Sequence, residues 1–264
     1  MKNDGVKMIV KNDTHDRQPN KRKRIWPKVL IGFGVTLILI ISGVLIFNKP
    51  LMHAYVNIHS KPQTYLKVTS AEMKKNAEKA KTEGNFDSDS AVPVSAENIA
   101  KAILANKSRP VIGGIAVPEL GINLPILYDS GDYSMLYGAG PLVPGLQMGK
   151  GNYVLASHDM WTNVSYYSKT LLFSPLKQAQ NGQNIYLTDK DKVYHYKIYD
   201  IRQITPDAWD DAVNEIPGRK VVTLITCDTN DAYRILVRGE LKDVKPFNND
   251  TAQPFTSESN SYAK

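Results

Sequence analysis

Cysteine is almost absent from this chain of 264 residues, in which Cys227 is the only one. A single cysteine cannot form an intramolecular disulfide, so a small fold held together by disulfides is excluded. Close ligand pairs such as CxxC and HExxH are also missing, and we expect no metal site and no other cofactor. The glycines at 138 and 140 are followed by a proline, outside the strand-to-helix context of a phosphate-binding loop.

Charged residues are missing from residues 29–47, which are nineteen mostly apolar residues. About 20 such residues are needed for a helix to cross a membrane. Residues 1–28 carry nine Lys and Arg against three Asp, and this basic side is expected to stay in the cytoplasm. No small-x-small cleavage site follows, which favours a retained anchor over a cleaved signal peptide. We therefore expect a single-pass protein of the cell membrane whose folded domain lies outside the cell.

The net charge of +7 belongs almost entirely to residues 1–28, so that the rest of the chain carries only +1. A domain that binds nucleic acid needs a basic patch on the fold itself, and we expect no such partner.

Residues 48–94 combine charged helix formers with few apolar residues and are interpreted as a solvated stalk. The predicted organisation is a cytoplasmic basic tail at 1–28, an anchor at 29–47, an extracellular stalk at 48–94, a folded domain at 95–246 and a polar C-terminal tail at 247–264.

The folded domain is predicted to be dominated by β-strands. Ser95 has the character of an N-cap for one short helix, in which Ile99, Ala102 and Ile103 share a face. From Pro110 onward, short β-prone runs are broken by Gly, Pro and Asn without βαβ alternation, which indicates a barrel or sandwich. The predicted strands lie at 111–117, 122–128, 152–157, 184–188, 192–204, 220–226 and 234–241, with a helical turn within 168–179.

Cys227 directly follows an apolar strand-like run and is a candidate nucleophile. A thiol needs a base or positive charge nearby to become a reactive thiolate. Of the five histidines, only His158 and His195 belong to the folded domain. His195 lies in the middle of a strand pattern and is interpreted as a partly exposed strand residue. His158 lies at a strand-to-loop boundary, as Cys227 does, which is typical of catalytic groups, although a structural histidine remains the alternative.

Two arginines follow the cysteine, and either could support a developing oxyanion. Alternation along the strand places Arg234 and Arg238 on the same face. Arg234 begins the strand after the turn that follows Cys227, whereas Arg238 lies more than about 12 Å further along. The spacing favours Arg234, and a surface salt bridge remains possible for both.

These residues together resemble the class A sortases of Gram-positive bacteria. The resemblance covers roughly residues 95–243. It is carried by ASH at 156–158, TLITC at 223–227 and Arg234, with further support from GIAVP at 114–118, LPI at 124–126 and LFSPL at 172–176.

The resemblance implies a closed eight-stranded β-barrel with short helices and a transpeptidase activity. Such an enzyme cuts an LPxTG-type sorting signal of a surface protein between Thr and Gly, then transfers the protein to an amine of a lipid II-type peptidoglycan precursor. By motif position, Cys227 is the nucleophile, His158 the general acid and base, and Arg234 the oxyanion support. Ser157 and Thr226 are then expected to line the substrate site.

The same resemblance implies that Asp159 and Asp228 are local turn residues, because the triad has the form Cys-His-Arg. Residues 120–124 lack the acidic cluster that binds calcium in some sortases, so calcium dependence is not expected. Two other functions remain as alternatives, of which the first would use the same Cys227 and His158. One is a membrane-anchored cysteine protease that only hydrolyses, and the other is an inactive binding module in which Cys227 is a buried hydrophobe.

Overall fold

The computed structural model describes residues 25–87, 90–131, 133–160, 171–228 and 232–256. The chain divides into two compact units, Met1–Ile46 and Phe47–Lys264. Its helices are α1 (Ile25–His59), α2 (Gln63–Leu66), α3 (Ser70–Glu83), α4 (Ala96–Ala105) and α5 (Trp209–Val213). Within the described part of the chain, none of these helices has both the length and the apolar character required to cross a membrane.

Eight strands form a single sheet in the second unit. Their order across the sheet is β2-β1-β5-β6-β8-β7-β4-β3, and all pairs are antiparallel except β4 with β7. A bridge between Ile126 and Ala139 links the two ends of the sheet, so that the eight-stranded barrel is nearly closed, where a closed one was expected. The strands are β1 (Val111–Val117), β2 (Ile122–Leu127), β3 (Gly140–Pro141), β4 (Asn152–Ala156), β5 (Asn184–Thr188), β6 (Lys192–Ile204), β7 (Val221–Cys227) and β8 (Arg234–Pro246).

The two residues of β3 were missed by the sequence prediction because such a short strand has no alternation pattern. Its glycine is required by a close approach of two backbones. A Cβ atom on Gly140 would lie 2.2 Å from the carbonyl oxygen of Asp129, and one on Gly138 would lie 2.3 Å from that of Pro125. These glycines therefore help to close the barrel.

Helix α4 begins where the sequence predicted. The Ser95 hydroxyl accepts a hydrogen bond from the backbone N–H of Asn98 at 3.0 Å, which caps the helix. Ile99 and Ala102 are buried as expected, whereas Ile103 is 51% exposed. The apolar face of the helix is thus narrower than the sequence pattern indicated.

The segment predicted as a solvated stalk differs from that expectation. Val56, Tyr65 and Met73 are fully buried and belong to the core of the barrel. The Tyr65 hydroxyl also donates a hydrogen bond to Asn123 Oδ1 at 2.6 Å. These buried residues are far apart in sequence, so they form no continuous apolar stripe that could have revealed the packing.

The polar C-terminal tail also packs in part against the barrel. Phe255 is fully buried, and its carbonyl oxygen accepts a hydrogen bond from Asn123 Nδ2 at 3.1 Å. Asn123 on β2 therefore contacts both the segment before the barrel, through Tyr65, and the segment after it. Residues 257–264 of the predicted tail, like residues 1–24 of the predicted basic tail, lie outside the described residues.

Candidate active site

A cavity of about 600 Å³ opens at the ends of β4, β7 and β8. Part of its wall comes from Pro93 and Val94, which precede α4, and from apolar residues such as Leu142 and Ile204. The predicted site residues come from two regions about 70 positions apart, and the structure brings all five of them to this cavity. They are Ser157, His158, Thr226, Cys227 and Arg234.

Cys227 is the last residue of β7 and Arg234 is the first residue of β8. They are direct partners in the antiparallel pairing of these strands. Side chains of directly opposed residues point to the same face with Cβ atoms about 4.5–5.5 Å apart. Both side chains are half-buried. The backbone N–H of Asp228 donates to the carbonyl oxygen of Tyr233 at 2.9 Å and continues the pairing into the turn.

His158 reaches the same rim through the parallel pairing of β4 with β7. Ala156 is the partner of Ile225, and the backbone N–H of Ser157 donates to the carbonyl oxygen of Ile225 at 3.2 Å. Continued by two residues, this register brings His158 level with Cys227 on the adjacent strand. Neighbouring strands lie about 4.8 Å apart, which places the two backbones side by side. The parallel register therefore explains why the histidine after β4 and the cysteine at the end of β7 lie at the same edge of the sheet.

Comparison with known proteins identifies the family. The family model described as the sortase domain matches residues 115–242. Sortase A of Streptococcus agalactiae is 38% identical over 215 residues, covering 81% of this chain and 85% of that protein. Sortase A of Bacillus anthracis is 35% identical over 226 residues, covering 85% and 98%. The chain belongs to the class A sortases.

A solved structure supports the same assignment. The crystal structure of sortase A from Listeria monocytogenes aligns with a TM-score of 0.51 and 31% sequence identity, covering 56% of this chain and 98% of that one. As a family member, this sortase is a cysteine transpeptidase. The alternative of an inactive binding module is therefore not retained.

The hydroxyls of Ser157 and Thr226 are engaged within the sortase itself. Both residues are buried, with exposed fractions of 3% and 2%. Ser157 Oγ donates to the carbonyl oxygen of Gly138 at 2.7 Å, and Thr226 Oγ1 donates to the carbonyl oxygen of Ser157 at 2.9 Å. The first bond ties the end of β4 to the segment that precedes β3, and the second ties it to the end of β7. The arrangement favours a role in positioning, although both residues also line the cavity as expected for substrate binding.

Sequence reasoning did not single out Lys177, which lies in the short 3₁₀ helix Ser174–Gln178. Its ammonium group forms an ion pair with Asp159 and lies 3.8 Å from Asp228 Oδ1. The two aspartates directly follow His158 and Cys227, and they were expected to be local turn residues. Asp159, Lys177 and Asp228 lie far apart in the sequence, so no local pattern predicts that they form ion pairs. The nearest sequence feature is the LFSPL motif, which directly precedes Lys177.

The other two candidates, Arg238 and His195, are not among the residues that line the cavity. Arg238 is buried, forms an ion pair with Asp200 at 3.5 Å and donates to the carbonyl oxygen of Asp211. His195 lies in β6 with Nε2 2.8 Å from Asn184 Oδ1, and desolvation by burial lowers its pKa. In the described part of the sortase, no group of three or more His, Cys, Asp or Glu side chains is arranged to hold a metal ion.

Proposed function

We propose that this sortase cleaves LPxTG-type sorting signals between Thr and Gly and transfers the surface protein to an amine of a peptidoglycan precursor. The observation that carries this proposal is the meeting of Cys227, His158 and Arg234 around one cavity at the ends of three strands. The cavity volume of about 600 Å³ is within the range of ligand-binding pockets.

In the first half of the proposed reaction, the thiolate of Cys227 attacks the carbonyl carbon of the Thr residue in the signal. Negative charge develops on the carbonyl oxygen, and the guanidinium of Arg234 stabilises it from the neighbouring strand. His158 donates a proton to the departing Gly nitrogen as the C–N bond breaks. The product is a thioester between the surface protein and Cys227.

In the second half, the acceptor amine attacks the thioester carbonyl while His158 accepts one of its protons. The new C–N bond forms, the C–S bond breaks, and the thiolate of Cys227 is restored. An amine must compete successfully with water at this step. That competition separates a transpeptidase from a hydrolytic cysteine protease, which would use the same Cys227 and His158.

The proposal includes anchoring in the cell membrane through residues 29–47, with the N-terminus in the cytoplasm and the barrel outside. Support comes from the charge-free apolar sequence of these residues and from the basic residues that precede it. A peptidoglycan-precursor amine and surface-protein substrates are both found on the outer side of the membrane, where this topology places the cavity.

The test uses the full chain in detergent micelles and a peptide that carries LPxTG between a fluorophore and a quencher. With triglycine added, we expect a transfer product whose mass corresponds to the N-terminal fragment joined to triglycine. Cys227→Ala should abolish it, and a peptide with the same residues in scrambled order should not react. Hydrolysis alone at every triglycine concentration would contradict the transpeptidase and support the protease.

A further inference from the structure

We propose that Lys177 is a positioning residue that links the two segments carrying the catalytic groups. It does so by forming ion pairs with Asp159, which follows His158, and with Asp228, which follows Cys227. The inference depends on the proposed function, because it assigns Lys177 a part in the same reaction.

The first support is the burial of this ion-paired group. The side chains of Lys177 and Asp159 are only 13% and 6% exposed, and that of Asp228 is 26% exposed. Exposed ion pairs contribute little because water and salt screen them, whereas largely buried pairs are screened much less. Removing one partner of such a group leaves an uncompensated charge in a poorly solvated place.

The second support is the attachment of the segment that carries Lys177 to the backbone at His158 and Met160. The backbone N–H of Phe173 donates to the carbonyl oxygen of His158 at 3.2 Å, and the N–H of Met160 donates to Ser174 Oγ at 2.6 Å. Pro175, in the same 3₁₀ helix as Lys177, is itself buried. The segment from Phe173 to Lys177 thus holds the backbone at His158 and at Met160, and it presents the ammonium group to the two aspartates.

The third support is the charge balance around the thiol. Asp159 and Asp228 carry negative charges next to the two catalytic residues, and a nearby negative charge disfavours a thiolate. Lys177 compensates for these charges from outside the cavity lining, whereas Arg234 is a cation that lines the cavity. The side-chain amide of Gln203, which donates to Asp228 Oδ2 at 3.3 Å, is neutral. Lys177 does not line the cavity, so its influence passes through the aspartates.

The experiment measures the rate at which iodoacetamide alkylates Cys227 as a function of pH in the full chain in detergent, which requires no substrate. For Lys177→Met, we expect the midpoint of the profile to rise by about one pH unit, because two negative charges are no longer compensated. Lys177→Arg should stay close to the original profile. Combining Lys177→Met with Asp159→Asn and Asp228→Asn should return the midpoint towards its original value.

Kinetics with the LPxTG peptide give the second readout. For Lys177→Met, we expect kcat to fall about tenfold or more with little change in KM, because the histidine and cysteine segments are no longer held in register. If Lys177→Met lowers the melting temperature or the activity but leaves the alkylation profile unchanged, Lys177 is a structural residue only and the proposal is wrong.

Two further outcomes distinguish a failure of this inference from a failure to fold and from a failure of the proposed function. If Lys177→Met does not fold, the Asp159→Asn and Asp228→Asn double variant should shift the midpoint in the opposite direction, downwards, and no shift would overturn the proposal. If the unmodified sortase does not process LPxTG but its alkylation profile responds to Lys177→Met as expected, the proposed function fails while the assignment of Lys177 stands.

Discussion

Cys227 and Arg234 face each other as direct partners across the antiparallel pairing of β7 and β8. Four residues further along β8, Arg238 is the partner of Thr223 in the same register. The two arginines thus lie on one face of the strand but have different surroundings. Arg234 lines the cavity, whereas Arg238 is held by Asp200 and by the carbonyl oxygen of Asp211.

Arg234→Ala should therefore reduce catalysis rather than stability. Loss of one donor to a developing oxyanion lowers kcat by about 10²- to 10³-fold. Arg234→Lys should recover only part of the activity, because an ammonium group cannot reproduce the planar fork of a guanidinium. Steady-state cleavage of the LPxTG peptide measures both, and an unchanged midpoint of urea unfolding verifies that the fold is intact.

Arg238→Ala is the matched control on the same face of β8. It leaves buried polar groups without their partner, which costs about 1–3 kcal/mol in the free energy of unfolding. Urea unfolding should show this loss, while kcat of the folded protein falls much less than in Arg234→Ala. Equal losses of kcat in the two variants would mean that the pairing of Arg234 with Cys227 has no special part in catalysis.

Thr226→Val separates positioning from substrate binding at the neighbouring residue. The valine cannot donate to the carbonyl oxygen of Ser157, so a buried acceptor loses its bond at a cost of about 1–3 kcal/mol in the free energy of unfolding. Thr226→Ser keeps the hydroxyl and should lose much less. If Thr226→Val instead leaves the unfolding midpoint unchanged and raises KM, the hydroxyl contacts the substrate.

Much of the barrel could be predicted because its strands consist of short β-prone runs between clear breaks. The bounds of β1, β5 and β6 match the predicted ranges 111–117, 184–188 and 192–204. The candidate catalytic residues were predicted by the same logic, since His158 and Cys227 each follow an apolar run. The end of each strand can be located in the sequence, so a polar residue at that position can be recognised without a structure.

What could not be predicted depends on contacts between distant segments. Met73 and Tyr65 are buried in the barrel, yet the sequence around them is charged and gives only isolated apolar residues. Lys177 is one of many lysines, and its role depends on two aspartates that only the folded chain brings to it. Isolated positions of this kind carry no periodic signal.

Met73→Ala tests whether α3 is part of the folded unit. Truncating a fully buried methionine costs about 2–5 kcal/mol, whereas a residue on a solvated stalk would cost almost nothing. Lys74→Ala, on the exposed side of the same helix, is the control and should stay within about 0.5 kcal/mol. Urea unfolding followed by circular dichroism measures both. Similar small losses of stability in the two variants would support the original interpretation of this segment as a solvated stalk.

His195 should make the stability of the barrel depend on pH. Desolvation lowers the pKa of His195 in the folded state below its ordinary value of 6.5, so the unfolded chain takes up the proton more readily. Its contribution is therefore present above about pH 6.5 and is lost as the pH falls below that value. In urea unfolding between pH 7.5 and pH 5, the unmodified protein should lose more stability than His195→Gln, which cannot titrate. Equal losses of stability in the two proteins would show that other groups cause the pH dependence. The main contribution of His195 to stability would then be its hydrogen bond to Asn184.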